Sequence, residues 1–487
     1  MSAGSRHVSA QREGNILPTL MRSPPEGTPA GLRFAVHARA EPTYHRKFIS
    51  QPRHPMSDLR SKSKARAVPA NECRVALIGF GTVGRAVAKI ICESGDGGLR
   101  LTHICNRNVE RKKQPWVPAD VVWTDDVEAV LKSDAQIVIE LIGGLNPAEQ
   151  IVRGALEAGK SVVTANKQLI ARHGPDLLQL AASKGCRLEF GASVAGGVPV
   201  LPALRTGLSG DKLHGIAGIL NGTCNYILSR IESARIPFSE ALEEAQARGY
   251  AEADASEDLD GGDARAKLAI LALAGLHTRV VPETVRARTI RAIDAVDFDY
   301  AAELGCTIRQ ISRADLKEGT LFADVGPCLV PADSPFGRVQ RNLNLVLTSG
   351  QYGGDMAFLG AGAGGDPTAV AVVSDLKVVA RSLSGGAGPD SANYFTTAEI
   401  SSDFETPWYL RFFVRDRPGI VARLAEILAA HHLNIDSLLQ KPGFDKASLP
   451  FVITLEPCRD SQLHPALEKM SGLDFAIRQC LCLPILR

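Results

Sequence analysis

The stretch that most constrains how this chain can fold is Cys73 to Ile91, CRVALIGFGTVGRAVAKII. Val75 to Ile78 form a short apolar run of the kind a parallel sheet buries on both faces. Gly79-Phe80-Gly81-Thr82-Val83-Gly84 follows at once as a G-x-G-x-x-G turn, and behind it Val83, Ala86, Val87 and Ile90 recur at helical spacing. Each glycine has its own task. The first permits the tight turn, the second lets a pyrophosphate approach the backbone, and the third lets helix and strand pack closely. The hexapeptide alone is weak evidence; between a strand and a helix it marks a dinucleotide site rather than a merely glycine-rich turn. Gly79, Phe80, Gly81, Thr82, Val83 and Gly84 are therefore candidate cofactor contacts.

The next strand, LTHICNRN (Leu101 to Asn108), ends without the Asp or Glu that NAD-specific proteins offer to the ribose. It presents Asn106, Arg107 and Asn108, then Arg111, Lys112 and Lys113. A guanidinium at Arg107 suits a 2′-phosphate, which favours NADP over NAD; the alternative is a solvated basic turn. Alternation continues through the strand AQIVIELIGG, a helix around Pro147 to Ala158 and the strand KSVVTANK. The pattern predicts a doubly wound, Rossmann-type parallel sheet over 71–200, with ligand at the carboxyl ends of its strands. Lys167 stands at such an end and is a candidate contact for cofactor or substrate.

Groups able to move protons concentrate in GYAEADASEDLDGGDARAKL, Gly249 to Leu268, which holds six carboxylates. A loop carries Glu252, Asp254, Glu257, Asp258 and Asp260, and a helix begins after Gly261 and Gly262. Asp263 falls in its first turn, and Lys267 lies four residues on, on the same face. On spacing alone this is either an active site or a solvated acidic loop with a routine ion pair. Two glycine-rich stretches, GASVAGGVPV (Gly191 to Val200) and LGAGAGGDPTAVAVVSDL (Leu359 to Leu376), leave backbone open to close approach by a ligand. The second runs into a helix, around 367–383, that returns to pack on the first domain. Between them, GILNGTCNYIL reads as a strand, an Asn-Gly turn and a helix.

Composition excludes other classes. A formal net charge of +2 leaves no basic excess for nucleic acid or an anionic membrane. Ten cysteines without a C-x-x-C pair read as reduced thiols of a cytoplasmic protein. No apolar run reaches the roughly 18 residues of a membrane span. Residues 1–70 are rich in Arg, Ser, Pro and His and lack apolar periodicity, so they read as a disordered extension. A transit peptide, interrupted by Pro24, Pro25, Pro29 and Pro42, and a true start at Met56 are the other readings.

Taken in order, GFGTVG, VVTANK, ASVAGGVP, GILNGTCNYIL, GYAEAD, DGGDARAKLAIL and GAGAGGDPTAVAVVSD make the chain resemble the homoserine dehydrogenases over about residues 73–400. The resemblance implies a catalytic and dimerisation domain over 201–400, a homo-oligomer, and NADP-linked interconversion of L-aspartate 4-semialdehyde and L-homoserine. It makes Lys267 the proton donor, Glu252 and Asp263 substrate ligands, Asp258 a further acid near the substrate, and Lys167 a contact at the nicotinamide end. It further implies a sodium ion on the backbone carbonyls of Val194, Gly196 and Val198, although this chain has Gly191 where many members have a glutamate. The residues agree with that chemistry: a lysine held by a carboxylate supplies charge and a proton to a developing alkoxide, and the α-ammonium of the substrate wants a carboxylate such as Glu252.

From Trp408 onward, WYLRFFVRDRPGIVARLAEILAAHHLNIDSLLQK, LPFVITLEP, SQLHPALEKM and FAIRQCLCL give the β-α-β-β-α-β order of a ferredoxin-like module over 405–487. Its D-R-P-G turn resembles ACT domains, which implies an amino-acid effector such as threonine, or else dimerisation alone. Two competing readings are a thiol-dependent aldehyde dehydrogenase using Cys224 and a non-catalytic NADP-sensing regulator.

Overall fold

The computed structural model describes residues 72–94, 98–385 and 395–486, so the readings of residues 1–70 lie outside the described residues. The first part is a six-stranded sheet. Its strands are β1 (Cys73–Ile78), β2 (Leu99–Cys105), β3 (Val122–Thr124), β4 (Ile137–Glu140), β5 (Ser161–Thr164) and β6 (Leu188–Glu189). All pairs are parallel and the order is β3-β2-β1-β4-β5-β6, with the reversal between β1 and β4 that opens a crevice at the strands' carboxyl ends. Connecting helices are α1 (Thr82–Ser94), α2 (Val127–Lys132), α3 (Ala148–Glu157) and α4 (Lys167–Ser183).

Two strand ends differ from the sequence reading. β2 stops at Cys105 because the side chain of Asn106 turns back to accept the Phe80 N–H at 3.0 Å. β5 stops at Thr164, and Asn166 caps α4 by accepting the Leu169 N–H at 3.2 Å. Lys167 is thus the first residue of a helix rather than the end of a strand.

The middle part contains β7 (Leu213–Ile219), α5 (Gly222–Ala234), α6 (Phe238–Ala247), α7 (Ser256–Leu259), α8 (Gly262–Gly275), α9 (Ala295–Glu303), β8 (Cys306–Lys317), β9 (Thr320–Pro331), β10 (Leu343–Gly350) and β11 (Gly354–Ala361). These strands form an antiparallel sheet in the order β11-β10-β7-β8-β9, with the short strands Arg286–Ala287 and Glu399–Ser401 running parallel along β9. α8 buries nearly every residue from Ala264 to Gly275, so it is apolar all round after its first turn. Its leucines and alanines share one core with Val138, Leu169 and Leu177 of the first part, which ties the two parts together.

Leu359 to Ala361 are the end of β11, so the glycine-rich loop proper is Gly362 to Gly364. Then α10 (Gly365–Gly385) returns to the first sheet and packs on α1. Val372, Leu376 and Val379 are fully buried among Val75, Leu77, Val87 and Ile91, each burial stabilising by about 1.5–3 kcal/mol.

The C-terminal module has β12 (Glu405–Val414), α11 (Ile420–Ala430), β13 (Ile435–Leu439), β14 (Leu449–Arg459), α12 (Asp460–Ser471) and β15 (Leu481–Pro484), in the antiparallel order β13-β14-β12-β15. This is the ferredoxin-like arrangement read from the sequence, with the final strand confined to Leu481–Pro484. The module packs on the middle part: Tyr409, Leu481 and Leu483 share a core with Tyr226, Ile290 and Tyr300. The described residues from Glu72 onward belong to one compact unit, and none of their helices is long and apolar enough to cross a membrane.

Candidate active site

Asp263 is the centre of the site. The left-handed turn at Gly261 (φ +83°) starts α8 and places Asp263 in the first turn, where the positive end of the helix favours a carboxylate. The Lys267 Nζ, one turn later, is 2.7 Å from Asp263 Oδ2. Lys167, from the start of α4, donates to Asp263 Oδ1. One carboxylate whose side chain is only 4% exposed therefore holds an ammonium group from each of two folding parts. Burial alone would raise the Asp263 carboxyl, but the charges of Lys267 and Lys167 override it and hold it well below the usual range. Burial likewise pulls the Lys167 ammonium down, and Asp263 with its hydrogen bond more than reverses the effect.

The corner between β7 and α5 completes this cluster, and the sequence reading took it only as a turn. Asn221 caps α5 by accepting the Cys224 N–H at 2.8 Å. Its Nδ2 donates to Asp258 Oδ1 at 2.7 Å and to Asp263 Oδ2 at 2.9 Å, so one amide joins both acids. The preceding carbonyl, Leu220 O, accepts from Lys267 Nζ at 2.7 Å and from Asn344 Nδ2 at 2.8 Å. Asn344 in turn fits only because Gly362 has no side chain, since a Cβ there would lie 2.1 Å from the Asn344 amide. An asparagine three residues before Cys224 at the start of an apolar helix is the one local signal that would have marked Asn221 as a cap. Its contacts to residues 37 and 42 positions away leave no local trace.

The candidate acids separate. Asp258, on α7, is half-buried and joins the cluster through Asn221; burial first, and the Asp263 charge after it, raise its carboxyl. Glu252 is exposed on the preceding loop and is not drawn against Asp258, Asp263 or Lys267. That loop is fixed by other contacts, with Thr223 Oγ1 donating to Tyr250 O at 2.7 Å and Gln246 Nε2 to Glu252 O at 3.1 Å. Asp254 is exposed and bonds the Ser256 N–H, and Asp260 is exposed and pairs with Arg291.

The glycine turn after β1 fits a dinucleotide. Gly79 has φ +103°, and a Cβ there would meet Leu141 O at 2.6 Å. A Cβ at Gly84 would lie 2.0 Å from Gly79 O, which is the close helix–strand contact. Around Gly81 no atom lies within 4 Å of a Cβ position, so the backbone is open on the ligand side. Gly365, the first residue of α10, abuts Thr82, a Cβ there falling 2.9 Å from Thr82 Cγ2, so two helix N-termini meet at the turn. Arg107 is exposed beside it, and no carboxylate follows Cys105 before Glu110. The Phe80 ring is fully buried, 5.0 Å from the Trp123 ring, and its N–H is taken by Asn106. Its side chain is a core residue because the turn folds it back under β2.

The turn proposed for a cation is buried at Val194 and Val198. Val198 O accepts the Val200 N–H at 2.8 Å, which leaves its second lone pair. At Gly191 the space a Cβ would need is filled by Asp375 of α10, whose Oδ2 accepts the Gly191 N–H at 2.7 Å. Burial, and after it the Glu189 charge, push the Asp375 carboxyl up to about 7. The carbonyls fit a hard cation weakly, with a carboxylate beside the turn that is half protonated near neutrality. Cys224 is fully buried, and burial with the charges of Asp258 and Asp263 pushes its thiol well above the usual range, so it has no thiolate to offer as a nucleophile.

Comparison with known proteins agrees with this geometry. Residues 79–191 match the family described as homoserine dehydrogenase, NAD binding domain; residues 199–376 match homoserine dehydrogenase; residues 408–475 match the ACT domain. The chain is 36% identical over 418 residues to a homoserine dehydrogenase from Synechocystis sp., covering 82% of this chain and 96% of the relative. It superposes on the crystal structure of a homoserine dehydrogenase from Thiobacillus denitrificans with a TM-score of 0.79 at 31% identity, covering 85% and 98% of the two chains. It is also similar to a hyperthermophilic archaeal homoserine dehydrogenase in complex with NADPH, with a TM-score of 0.55 at 27% identity over 63% of this chain and 97% of that one.

Proposed function

Since this chain belongs to the homoserine dehydrogenase family, oxidoreductases acting on a CH–OH group, we propose that it interconverts L-aspartate 4-semialdehyde and L-homoserine with NADP. The step lies towards threonine, methionine and isoleucine. The observation that carries the mechanism is Asp263 gripped by Lys167 and Lys267. Of the three N–H donors of Lys267, Leu220 O and Asp263 take two, so the third is available to the carbonyl oxygen of the aldehyde. Asp263 holds Lys267 charged and aimed, and Lys267 gives its proton to the oxygen as it becomes an alkoxide. In the reverse direction the same amine accepts the hydroxyl proton of homoserine. When bound, NADP supplies or takes the hydride at the substrate carbon. Lys167, at the start of α4 and with a side chain 39% exposed, adds positive charge to the cluster.

Asp258, and Glu252 once substrate is bound, receive the substrate's α-ammonium. The backbone from Gly79 to Gly84 receives the pyrophosphate, and Arg107 the 2′-phosphate. A sodium ion on the carbonyls of Val194, Gly196 and Val198 is weakly held without a glutamate at Gly191, and no step passes through it. The enzyme works as a cytoplasmic homo-oligomer whose ACT domain takes threonine as effector. Neither competing reading has comparable support: the Cys224 thiol is locked in the core, and a mere sensor has no use for a buried Lys-Asp-Lys cluster. Lys267→Ala is expected to lower kcat by at least about 10²-fold, the effect of losing a general acid, with NADP binding unchanged by calorimetry. Near-normal turnover in that variant would remove Lys267 from its role.

A further inference from the structure

One buried carboxylate of the dinucleotide sheet takes no part in the Asp263 cluster. Glu140 is the last residue of β4, beside β1 at the switch in strand order, and it is fully buried. The three residues before it, Ile137, Val138 and Ile139, fill the same sheet with apolar side chains, so packing alone does not call for a carboxylate. A buried polar group is costly unless its hydrogen bonds are made, and those of Glu140 are made in two directions. Oε1 accepts the Ile142 N–H at 2.9 Å and the Gly143 N–H at 3.1 Å. Oε2 accepts the Thr164 hydroxyl at 2.6 Å.

The first direction is an anchor. Two amides of the loop after β4 fix the carboxyl plane, and the loop itself is tied to β1 by the Leu141 N–H, which donates to Ile78 O at 2.8 Å. The second direction leads to the cluster. The Thr164 hydroxyl that donates to Glu140 also accepts the Asn166 N–H at 3.0 Å. Asn166 caps α4 through the Leu169 N–H, and its Nδ2 donates to Gly144 O at 2.6 Å. Lys167 is the next residue, and its ammonium grips Asp263. Glu140, Thr164, Asn166 and the loop to Gly144 thus close a ring of hydrogen bonds around the start of α4. In a buried ring each bond supports the next, so loosening one member loosens the cap.

We propose that Glu140 is a positioning residue for Lys167: through Thr164 and Asn166 it sets the first turn of α4 so that the Lys167 ammonium meets Asp263. The inference rests on the homoserine dehydrogenase reading for its kinetic readout, and wild-type turnover tests that reading separately.

The test compares Glu140→Gln and Thr164→Val, each close in shape to the residue it replaces, alone and in a Lys167→Ala background. In Glu140→Gln the two loop amides claim the one acceptor oxygen, and the Thr164 hydroxyl loses the acceptor that aims it. In Thr164→Val the hydroxyl itself is gone. Each variant is expected to lower kcat for homoserine oxidation by about tenfold or more, the effect of a lost hydrogen bond to a charged group and of a displaced site residue. In the Lys167→Ala background the same changes lower kcat by less than about twofold, because residues that act as one unit are not additive. Deuterium exchange at the Leu169 amide, read without substrate, is faster in both variants than in the wild type. Equal losses of kcat in the two backgrounds would overturn the proposal. So would a lowered Tm with wild-type kcat and unchanged Leu169 exchange, the outcome of a merely structural role. If Glu140→Gln does not fold, Thr164→Val decides by the same measurements. If the wild type shows no homoserine-dependent turnover, the parent reading falls, and the Leu169 exchange still decides whether Glu140 sets the first turn of α4.

Discussion

Asp263 is one buried carboxylate serving two ammonium groups, and replacing it exposes how much each partner depends on it. In Asp263→Asn the shape is kept but Lys167 and Lys267 lose the carboxylate they share, with Asp258 left nearby, and removing one partner of a buried pair costs about 3–5 kcal/mol. The dependence on pH has a definite sign. The folded Asp263 carboxyl is depressed below 3.8, so its stabilisation is complete above that value and is lost as pH falls towards the folded one. Urea denaturation of the two proteins should show a wild-type advantage that is constant through neutral pH and shrinks below about pH 4. An equal difference at all pH values would contradict the assignment. Asp263 with Lys267 was legible in the chain because a four-residue spacing fixes a shared helix face. Lys167 was marked as a site candidate, but its grip on Asp263 was not legible, and neither was Asn221, since they reach Asp263 across 96 and 42 residues. Where the Phe80 ring lies was not readable, since a motif position says where the backbone goes and not where a ring points.

Among the elements, α10 has the largest burden, since it closes the nucleotide sheet against α1 and sets its Asp375 carboxylate on the Gly191 amide. Burial and Glu189 raise that carboxyl from 3.8 to about 7, while Arg205 and the Gly191 and Ala192 amides oppose the shift. A raised carboxyl stabilises the fold while protonated and loses that contribution as pH rises through about 7. Asp375→Asn keeps an acceptor for the Gly191 N–H and does not ionise. Its Tm should exceed that of the wild type by a few degrees at about pH 8 and match it near pH 4, by calorimetric scan. A lower Tm at the higher pH would show that the charged carboxylate is needed there. The helix itself was visible in its apolar pattern, and its bounds were found to within a few residues. The ends of β2 and β5 were not, because Asn106 and Asn166 end them by side-chain hydrogen bonds that depend on what lies opposite.

The molecule as a whole places the candidate cluster where its parts meet. α4 of the dinucleotide sheet brings Lys167, α8 of the middle sheet brings Asp263 and Lys267, and the β7–α5 corner locks them with Asn221 and Leu220. The architecture was readable as strand-helix alternation followed by the β-α-β-β-α-β module, because both follow from periodicity and turn residues. The junctions were not readable, since Gly362 against Asn344, and Tyr409 in the core of the middle part, are meetings of distant segments. Joining hydride transfer to a lysine-held proton at this junction is the central claim. The most direct measurement is the initial rate of NADPH formation, by absorbance, with L-homoserine and either NADP or NAD. The account predicts homoserine-dependent reduction that is faster with NADP than with NAD at equal concentration; no homoserine-dependent reduction of either cofactor would contradict it.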